Sequence, residues 1–282
     1  MSAVIGERLS VSGLAEDPLA GLVVNTPPRQ HFWWDESAVP ARNVAEERRH
    51  RQEKLAITFR LFARQGFDVG LAGHVTARDP ALPDHFWVNP FGLHFSRIRV
   101  SDLLLVNSRG EIVVGRGPLN QAAFAIHGAI HEAHPQVIAA AHTHSLHGKA
   151  WSTLGRLLDP LTQDACVFYN DHALFDDFTG VVFEEDEGRR IAQAIGTRKA
   201  LILKNHGILT AGPTVEAVAW WYIALENAAR TQLLAEAAGT PQLISPQVAE
   251  HTHAQIGRAT GARRAFDSLA AVLVEDEPEV LT

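Results

Sequence analysis

The first regular pattern of hydrophobic and polar positions along the chain is helical. Between residues 44 and 65 apolar residues recur every three to four positions, with Leu55, Phe59 and Phe62 on one stripe. Gly66 follows directly and supplies a typical helix stop. The pattern therefore predicts an amphipathic helix that packs its stripe on a core.

Beyond this helix, short extended patterns alternate with helical ones. Apolar runs flanked by turn residues predict strands over 85–90, 103–110, 111–115, 136–144 and 199–212, the last being a strand pair. Helical periodicity predicts helices over 120–135, 147–155, 189–196 and 214–239. Because strands and helices interleave without an internal repeat, the pattern predicts a single α/β domain.

The two ends of the chain lack such a sustained pattern. Residues 1–42 are rich in proline, glycine and polar residues, which predicts an irregular N-terminal arm. We expect the folded domain over residues 43–240 and a C-terminal extension with one further helix over 241–282.

Composition narrows the class of protein and its partners. The chain has 282 residues, of which 46% are hydrophobic and 20% charged, as in ordinary globular proteins. Its net charge of −7, without a basic run, argues against nucleic acid or an anionic membrane as a partner. No apolar run approaches the roughly 20 residues that span a bilayer, and the N-terminus lacks the pattern of a signal peptide. With a single cysteine, Cys166, these features predict a cytoplasmic protein.

Candidate chemistry is concentrated in the stretch VIAAAHTHSLHGK, residues 137–149. Because alternate residues of a strand share a face, His142 and His144 would project side by side and could both reach one ion at about 2.0–2.1 Å. His206 follows another apolar strand, and it would supply a third ligand if the two strands are neighbours. Three protein ligands are typical of a catalytic metal site. Spacing alone leaves the alternative open that these are ordinary capping or partly buried histidines.

Four segments together resemble the class II aldolase/adducin superfamily: GLAGHVTARDP (70–80), FWVNPFGLHFSRIRVSDLLLV (86–106), NQAAFAIHGAIHEAHPQVIAAAHTH (120–144) and KNHGILTAGPTVEAVAWWYIALENAARTQL (204–233). The resemblance implies an α/β/α layered domain on a central mixed, largely antiparallel sheet, and a homotetramer with active sites at subunit interfaces. It also implies that His142, His144 and His206 bind one divalent metal ion per subunit. Zinc or Fe(II) is expected, and manganese or cobalt would also suit the site.

Departures from the family pattern bear on the substrate. The sugar-phosphate aldolases begin the helix before the paired histidines with Ser-Ser-Glu; the stretch here is Gln-Ala-Ala, with Gln121 first and Ala123 in the place of the acid/base glutamate. The family's Thr-Gly appears as Phe91-Gly92, and an asparagine appears as His74. Phenylalanine replaces a hydroxyl donor with apolar surface. We therefore expect Phe91, Gly92 and Gln121 to contact a substrate other than a sugar phosphate.

Three functional hypotheses follow from the retained histidines and the altered pocket. The first is a metal-dependent lyase that cleaves a C–C bond, by retro-aldol reaction or decarboxylation, in an aromatic or apolar hydroxy or keto compound, since a bound ion stabilises charge developing on oxygen. The second is a non-haem Fe(II) oxygenase that oxidatively decarboxylates an aromatic 2-keto or 2-hydroxy acid in secondary metabolism. The third is a non-enzymatic interaction module, as in adducin.

Either enzyme needs groups that move protons in place of the missing glutamate. The candidates are His74, His147, Tyr169 and His172, from the stretches GHV, SLHG and FYNDH. Tyr169 could instead be a core aromatic residue, and His172 a capping residue. Both alternatives stay open on the sequence.

Overall fold

An eight-stranded sheet forms the centre of the protein in the computed structural model, which describes residues 42–182 and 185–282. Its strands are β1 (His74–Arg78), β2 (Phe86–Val88), β3 (Leu104–Val106), β4 (Ile112–Val114), β5 (Ala139–Thr143), β6 (His172–Phe175), β7 (Ala200–Leu203) and β8 (Gly207–Gly212). They lie in the order β4-β3-β2-β1-β5-β8-β7-β6, and each described pair is antiparallel except β6 with β7. The mixed, largely antiparallel sheet is confirmed. Apart from residue 42, the predicted N-terminal arm lies outside the described residues.

Helices cover both faces of this sheet. They are α1 (Val44–Arg64), α2 (Gln121–Ala123), α3 (Ala129–Ala133), α4 (Leu146–Ser152), α5 (Glu185–Ile195), α6 (Val215–Ala238), α7 (Pro246–Ile256) and α8 (Ala259–Asp276), and a π-helical turn (Phe124–Gly128) joins α2 to α3. Buried residues of α1, α6 and α8 share one hydrophobic cluster, whereas those of the π turn, α3 and α5 share another on the opposite face. The predicted α/β/α layering is therefore confirmed. Among the described helices, none is both long and apolar enough to cross a membrane.

The first helix shows how local sequence sets an element's limits. Asn43 accepts a hydrogen bond from the peptide N–H of Glu46, whose carboxylate accepts one from the peptide N–H of Asn43, and this capping box starts α1. At the other end Gly66 has a φ of 73°, a left-handed conformation that glycine adopts without strain. The helix predicted over 44–65 is therefore confirmed.

The C-terminal extension differs from the prediction. It contains two helices, α7 and α8, rather than one, and Gly257 separates them. Phe266 and Leu273 of α8 are fully buried in the core cluster that includes α6. The extension is thus part of the hydrophobic core, and the sequence predicted only one of its two helices.

Candidate metal centre

Three histidines converge where β5 ends and β8 begins. His142 lies in β5 opposite Leu209 of β8, His144 follows β5 directly, and His206 lies in the turn between β7 and β8. One ring nitrogen from each lies within 4.8 Å of the other two. The ring centroids are 4.7 to 5.3 Å apart. The antiparallel pairing of β5 with β8 therefore brings together the residues that the sequence singled out.

The turn that carries His206 is held against β5 by two local features. Asn205 has a φ of 59°, in the left-handed region that asparagine tolerates better than most residues. Gly207 comes next, and a Cβ atom there would lie 3.0 Å from the carbonyl oxygen of Thr143. Only a residue without a side chain lets β8 approach β5 this closely without displacement, and this approach sets the position of His206.

The electrostatics of the three imidazoles suit a metal ion. Burial, followed by the neighbouring His144, lowers the pKa of His206 to about 4, and burial is also the main cause that lowers the pKa of His142 and of His144. The second cause at His144 is the positive charge of Lys149. Nδ1 of His142 donates to the carbonyl oxygen of Ile208 at 2.9 Å, which leaves its Nε2 lone pair for a ligand bond. Neutral imidazoles in this arrangement fit zinc or iron.

A fourth histidine, His74, lies beside this cluster. It begins β1 opposite His142, with ring centroids 5.2 Å apart, and its Nδ1 lies 3.4 Å from Nδ1 of His127 in the π turn. Burial strongly lowers the pKa of both His74 and His127. Nε2 of His74 is buried and has no partner among the described atoms. A buried nitrogen left unpaired beside a cluster of ligands is available to a substrate or a bound water.

The polar contacts continue away from the cluster between β1 and the α2–α3 segment. Thr76 Oγ1 lies 2.9 Å from Nδ1 of His127 and 2.9 Å from Nε2 of His131. Beyond His131 lies a cavity of about 620 Å³ whose lining includes Arg78 and Phe86 but none of the three convergent histidines. This cavity is therefore separate from the convergent histidines, whose ring nitrogens define the candidate metal centre.

The other predicted proton-transfer residues have different settings. His147 lies in the first turn of α4 with its side chain 31% exposed, and its Nδ1 lies 2.9 Å from a carboxylate oxygen of Glu226. His172 pairs with Ala200 at the end of β7 remote from His206. Its Nδ1 donates to Phe168 and its Nε2 accepts from a peptide N–H, so neither ring nitrogen is free to transfer a proton. Tyr169 is half-buried three residues earlier in the chain. The structure does not bring His172 to the convergent histidines.

The predicted substrate-contact residues lie at the periphery. Phe91 is 39% exposed and Gly92 has a φ of 89°, and both line a shallow pocket that contains none of the convergent histidines. Gln121 is exposed at the start of α2. Ala123 is fully buried in an apolar cluster with Phe86 and its neighbours. An apolar core residue therefore occupies the position of the family's acid/base glutamate.

Three residues near the centre were missed on the sequence. The ring of Phe178, which is 47% exposed, lies 6.4 Å from the ring of His206. Tyr222 and Glu226 of α6 are buried and bond to residues next to the histidines of β5. No local sequence pattern indicates a functional role for Phe178. A glutamate within the apolar helical run WWYIALEN, in contrast, indicates a buried carboxylate that needs hydrogen-bond donors.

The fold and the histidine cluster together define a class II aldolase-like protein, and comparison with known proteins agrees. Residues 53–233 match the family model described as Class II Aldolase and Adducin N-terminal domain, so the chain belongs to this family.

Two relatives and one solved structure are similar over most of the chain. The chain is 44% identical over 240 residues to Decarboxylase NovR from Streptomyces niveus, covering 84% of this chain and 89% of that protein. It is 46% identical over 215 residues to 4-hydroxy-3-prenylphenylpyruvate oxygenase/4-hydroxy-3-prenylbenzoate synthase from Streptomyces roseochromogenus subsp. oscitans, covering 76% and 78%. The structure of L-fuculose 1-phosphate aldolase from Glaciozyma antarctica PI12 superposes with a TM-score of 0.79 at 39% identity, covering 91% and 96%.

Proposed function

We propose that this protein is a metal-dependent lyase that cleaves a C–C bond of a non-phosphorylated aromatic or apolar hydroxy or keto acid, by retro-aldol reaction or decarboxylation. The observation that carries the proposal is the convergence of His142, His144 and His206, whose ligand atoms lie within 4.8 Å of one another. The buried Ala123, at the position of the family's acid/base glutamate, argues against a sugar-phosphate aldolase. The name of the 44% identical relative, a decarboxylase, supports the reaction class. We assign the three histidines to one divalent ion per subunit, zinc or Fe(II), with manganese or cobalt as further choices.

A bound divalent ion would supply stabilisation of the negative charge that develops on a substrate oxygen. In a retro-aldol cleavage the β-hydroxyl group loses its proton and becomes a carbonyl, and in the decarboxylation of a β-keto acid the carboxylate leaves as CO₂. In both reactions the electron pair of the broken C–C bond forms an enolate, whose carbon then takes up a proton. We assign the unpaired Nε2 of His74 as a hydrogen-bond partner of the substrate oxygen. We assign proton exchange to Nε2 of His147, because a histidine whose Nδ1 is held by a carboxylate is suited to general acid/base catalysis.

Two further side chains support an aromatic acid as substrate. Phe178 places an exposed ring beside His206, where it could contact an apolar or aromatic group. Lys149 is half-buried in α4, and its positive charge acts on His144. A cation at this place favours a carboxylate on the substrate.

An Fe(II) oxygenase is the second candidate, favoured by the printed name of the 46% identical relative. In that reaction a 2-keto acid would react with O₂, release CO₂ and retain both oxygen atoms of O₂ in the organic product. The usual iron site has two histidines and one carboxylate. Among the described residues, the group with ligand spacing contains three histidines and no carboxylate, so we place the lyase first. The third candidate, an interaction module, requires no stoichiometric metal.

The test is a product assay on aromatic β-keto, 2-keto and 2-hydroxy acids, run with and without oxygen, with L-fuculose 1-phosphate as a competing substrate. A lyase gives the same rate in both atmospheres and does not turn over the sugar phosphate. Turnover that requires oxygen would instead support the oxygenase. Turnover of the sugar phosphate alone would contradict the substrate class, and no turnover by the metal-loaded protein would contradict an enzyme that acts on these acids.

We also propose that the protein forms a homotetramer with active sites at subunit interfaces. The exposed residues beside the histidine cluster, Phe178 and Leu146, support this proposal, because exposed apolar side chains near a site are suited to cover by a neighbouring subunit. Sedimentation equilibrium measures the mass directly, and a monomer at working concentration would contradict the proposal.

A further inference from the structure

We infer that Tyr222 and Glu226, one turn apart on α6, act as positioning residues that hold the end of β5 so that His142 and His144 are preorganised for a metal ion. This inference rests on the proposed metal centre but not on the reaction it performs. Neither residue touches the three ring nitrogens. Their effect is exerted through Thr143 and Ser145, the chain neighbours of the two histidines.

The first contact set belongs to Tyr222. Residues 142 and 144 point to one side of the chain and residues 143 and 145 to the other, because side chains alternate along an extended strand. On that other side the hydroxyl of Tyr222 donates to the carbonyl oxygen of Thr143 at 2.9 Å and accepts from the peptide N–H of Thr143 at 3.2 Å. The hydroxyl of Thr143 lies 2.7 Å away. One fully buried phenol therefore binds both backbone groups and the side chain of the residue between the two ligands.

The second contact set belongs to Glu226, which is only 4% exposed. One carboxylate oxygen accepts from the hydroxyl of Ser145 at 2.6 Å and from the peptide N–H of Gly148 at 2.6 Å. The other accepts from the peptide N–H of His147 at 2.7 Å and from its Nδ1 at 2.9 Å. Four donors and no acceptor face this group, which is the arrangement that an ionised carboxylate satisfies.

The close packing around Glu226 shows that these contacts are built into the fold. A Cβ atom on Gly148 would lie 2.6 Å from a side-chain carbon of Ile208 and 2.9 Å from the carboxylate, so only glycine lets the carboxylate reach this turn. The same Ile208 supplies the carbonyl that orients His142. The ligand segment is thus held from α6 on one side and from β8 on the other.

A buried carboxylate is seldom the most stabilising choice for a helix interior, since its desolvation offsets much of its hydrogen bonding. Groups that orient metal ligands, in contrast, commonly change metal affinity by 10- to 100-fold when they are removed. The position of Glu226 and Tyr222 behind the ligand segment fits that role. We therefore expect their loss to weaken metal binding more than their effect on folding explains.

The variants that test this are Tyr222→Phe and Glu226→Gln, both close to the native shape. Tyr222→Phe removes one hydroxyl and leaves the backbone of Thr143 without its partner. Glu226→Gln replaces one acceptor oxygen with an NH₂ group, which then faces two donors. Glu216→Gln is the matched control: Glu216 is also buried on α6, but it pairs with His50 at 2.8 Å.

Zinc affinity is measured by competition with a chromophoric chelator, ligand geometry by the visible absorption of the cobalt-loaded protein, and folding by circular dichroism. We expect Tyr222→Phe and Glu226→Gln to bind zinc about 10- to 100-fold more weakly and to alter the cobalt spectrum, while Glu216→Gln stays within about twofold of wild type. If either variant does not fold, the milder Ser145→Ala, which removes one of the four donors to Glu226, is expected to weaken zinc binding by several fold.

Folded variants with unchanged zinc affinity and an unchanged cobalt spectrum would overturn the positioning role. An equal loss of affinity in Glu216→Gln would also overturn it, because the effect would then be one of general stability. A wild-type protein that binds no zinc or cobalt would contradict the metal centre itself and the positioning role with it. The test measures zinc affinity, the cobalt spectrum and folding, but not catalytic turnover. Its result can therefore be interpreted even if the proposed lyase reaction is wrong.

Discussion

His131 gives a quantitative prediction for stability against pH. It lies in α3, where its Nε2 contacts the hydroxyl of Thr76 at 2.9 Å while its Nδ1 is buried without a partner. Burial, followed by the positive charge of Arg78, lowers its pKa to about 3. The folded protein therefore keeps this imidazole neutral under conditions in which the unfolded chain protonates it.

The sign and size of the effect follow from linkage. An unfolded histidine has a pKa of about 6.5, so between pH 6.5 and 3 the unfolded state binds a proton that the folded state does not. The free energy of unfolding is unaffected by His131 above pH 7. It falls by about 1.4 kcal/mol for each pH unit below 6.5, or by about 2 kcal/mol at pH 5.

The assay is urea denaturation at several pH values between 7.5 and 4.5, comparing wild type with His131→Gln. Glutamine keeps a polar group near Thr76 but does not titrate. We expect the slope of unfolding free energy against pH to be smaller in the variant by about 1.4 kcal/mol per unit below pH 6. His251→Gln, at an exposed position in α7, is the control for replacing a histidine by glutamine as such. Equal slopes in wild type and His131→Gln would refute the reasoning.

Three further predictions concern the site and its support. Phe178→Ala should raise the KM for an aromatic acid by about two- to tenfold, because it removes one aromatic contact with the substrate. An unchanged KM in steady-state kinetics would show that Phe178 does not contact the substrate. Ala123→Glu should lower the free energy of unfolding by roughly 3 kcal/mol, because it buries a carboxyl group in an apolar cluster, and it should not create sugar-phosphate aldolase activity. Thermal melting tests the first expectation and an aldolase assay the second. Asn205→Ala should destabilise the β7–β8 turn by about 1 kcal/mol in urea denaturation, whereas Asn205→Gly should not.

Strong local signals made the histidine cluster predictable. The spacing of His142 and His144 on a strand is one local pattern, and the apolar strand directly before His206 is another. The structure adds the antiparallel pairing of β5 with β8 that makes the strands neighbours. The alternation of helical and extended patterns predicted a single α/β domain, whereas the α/β/α layering and the mixed sheet were implied by the resemblance to the class II aldolase/adducin superfamily.

The features that sequence reasoning missed depend on contacts between distant segments. β1 reads HVTAR, in which polar and apolar residues alternate, but the run is short and its polar residues are buried rather than exposed, so the usual pattern of a half-exposed strand is absent. Glu226 lies about 80 residues from Ser145, and nothing near either residue predicts their 2.6 Å hydrogen bond. His172 was a candidate for proton transfer or for capping, but two backbone partners occupy its ring nitrogens. Such hydrogen-bond partners are set by tertiary packing, and no periodic pattern in the sequence indicates them.

Elemental analysis of the purified protein tests the metal centre most directly. The protein is prepared without chelators, and its divalent metal content is measured beside that of His142→Ala, a change at a buried position that we assign as a ligand. One divalent ion per wild-type chain, lost in the variant, is the predicted result. A wild-type protein without stoichiometric metal, or a variant that retains it, would contradict the assignment of His142, His144 and His206 as a metal centre.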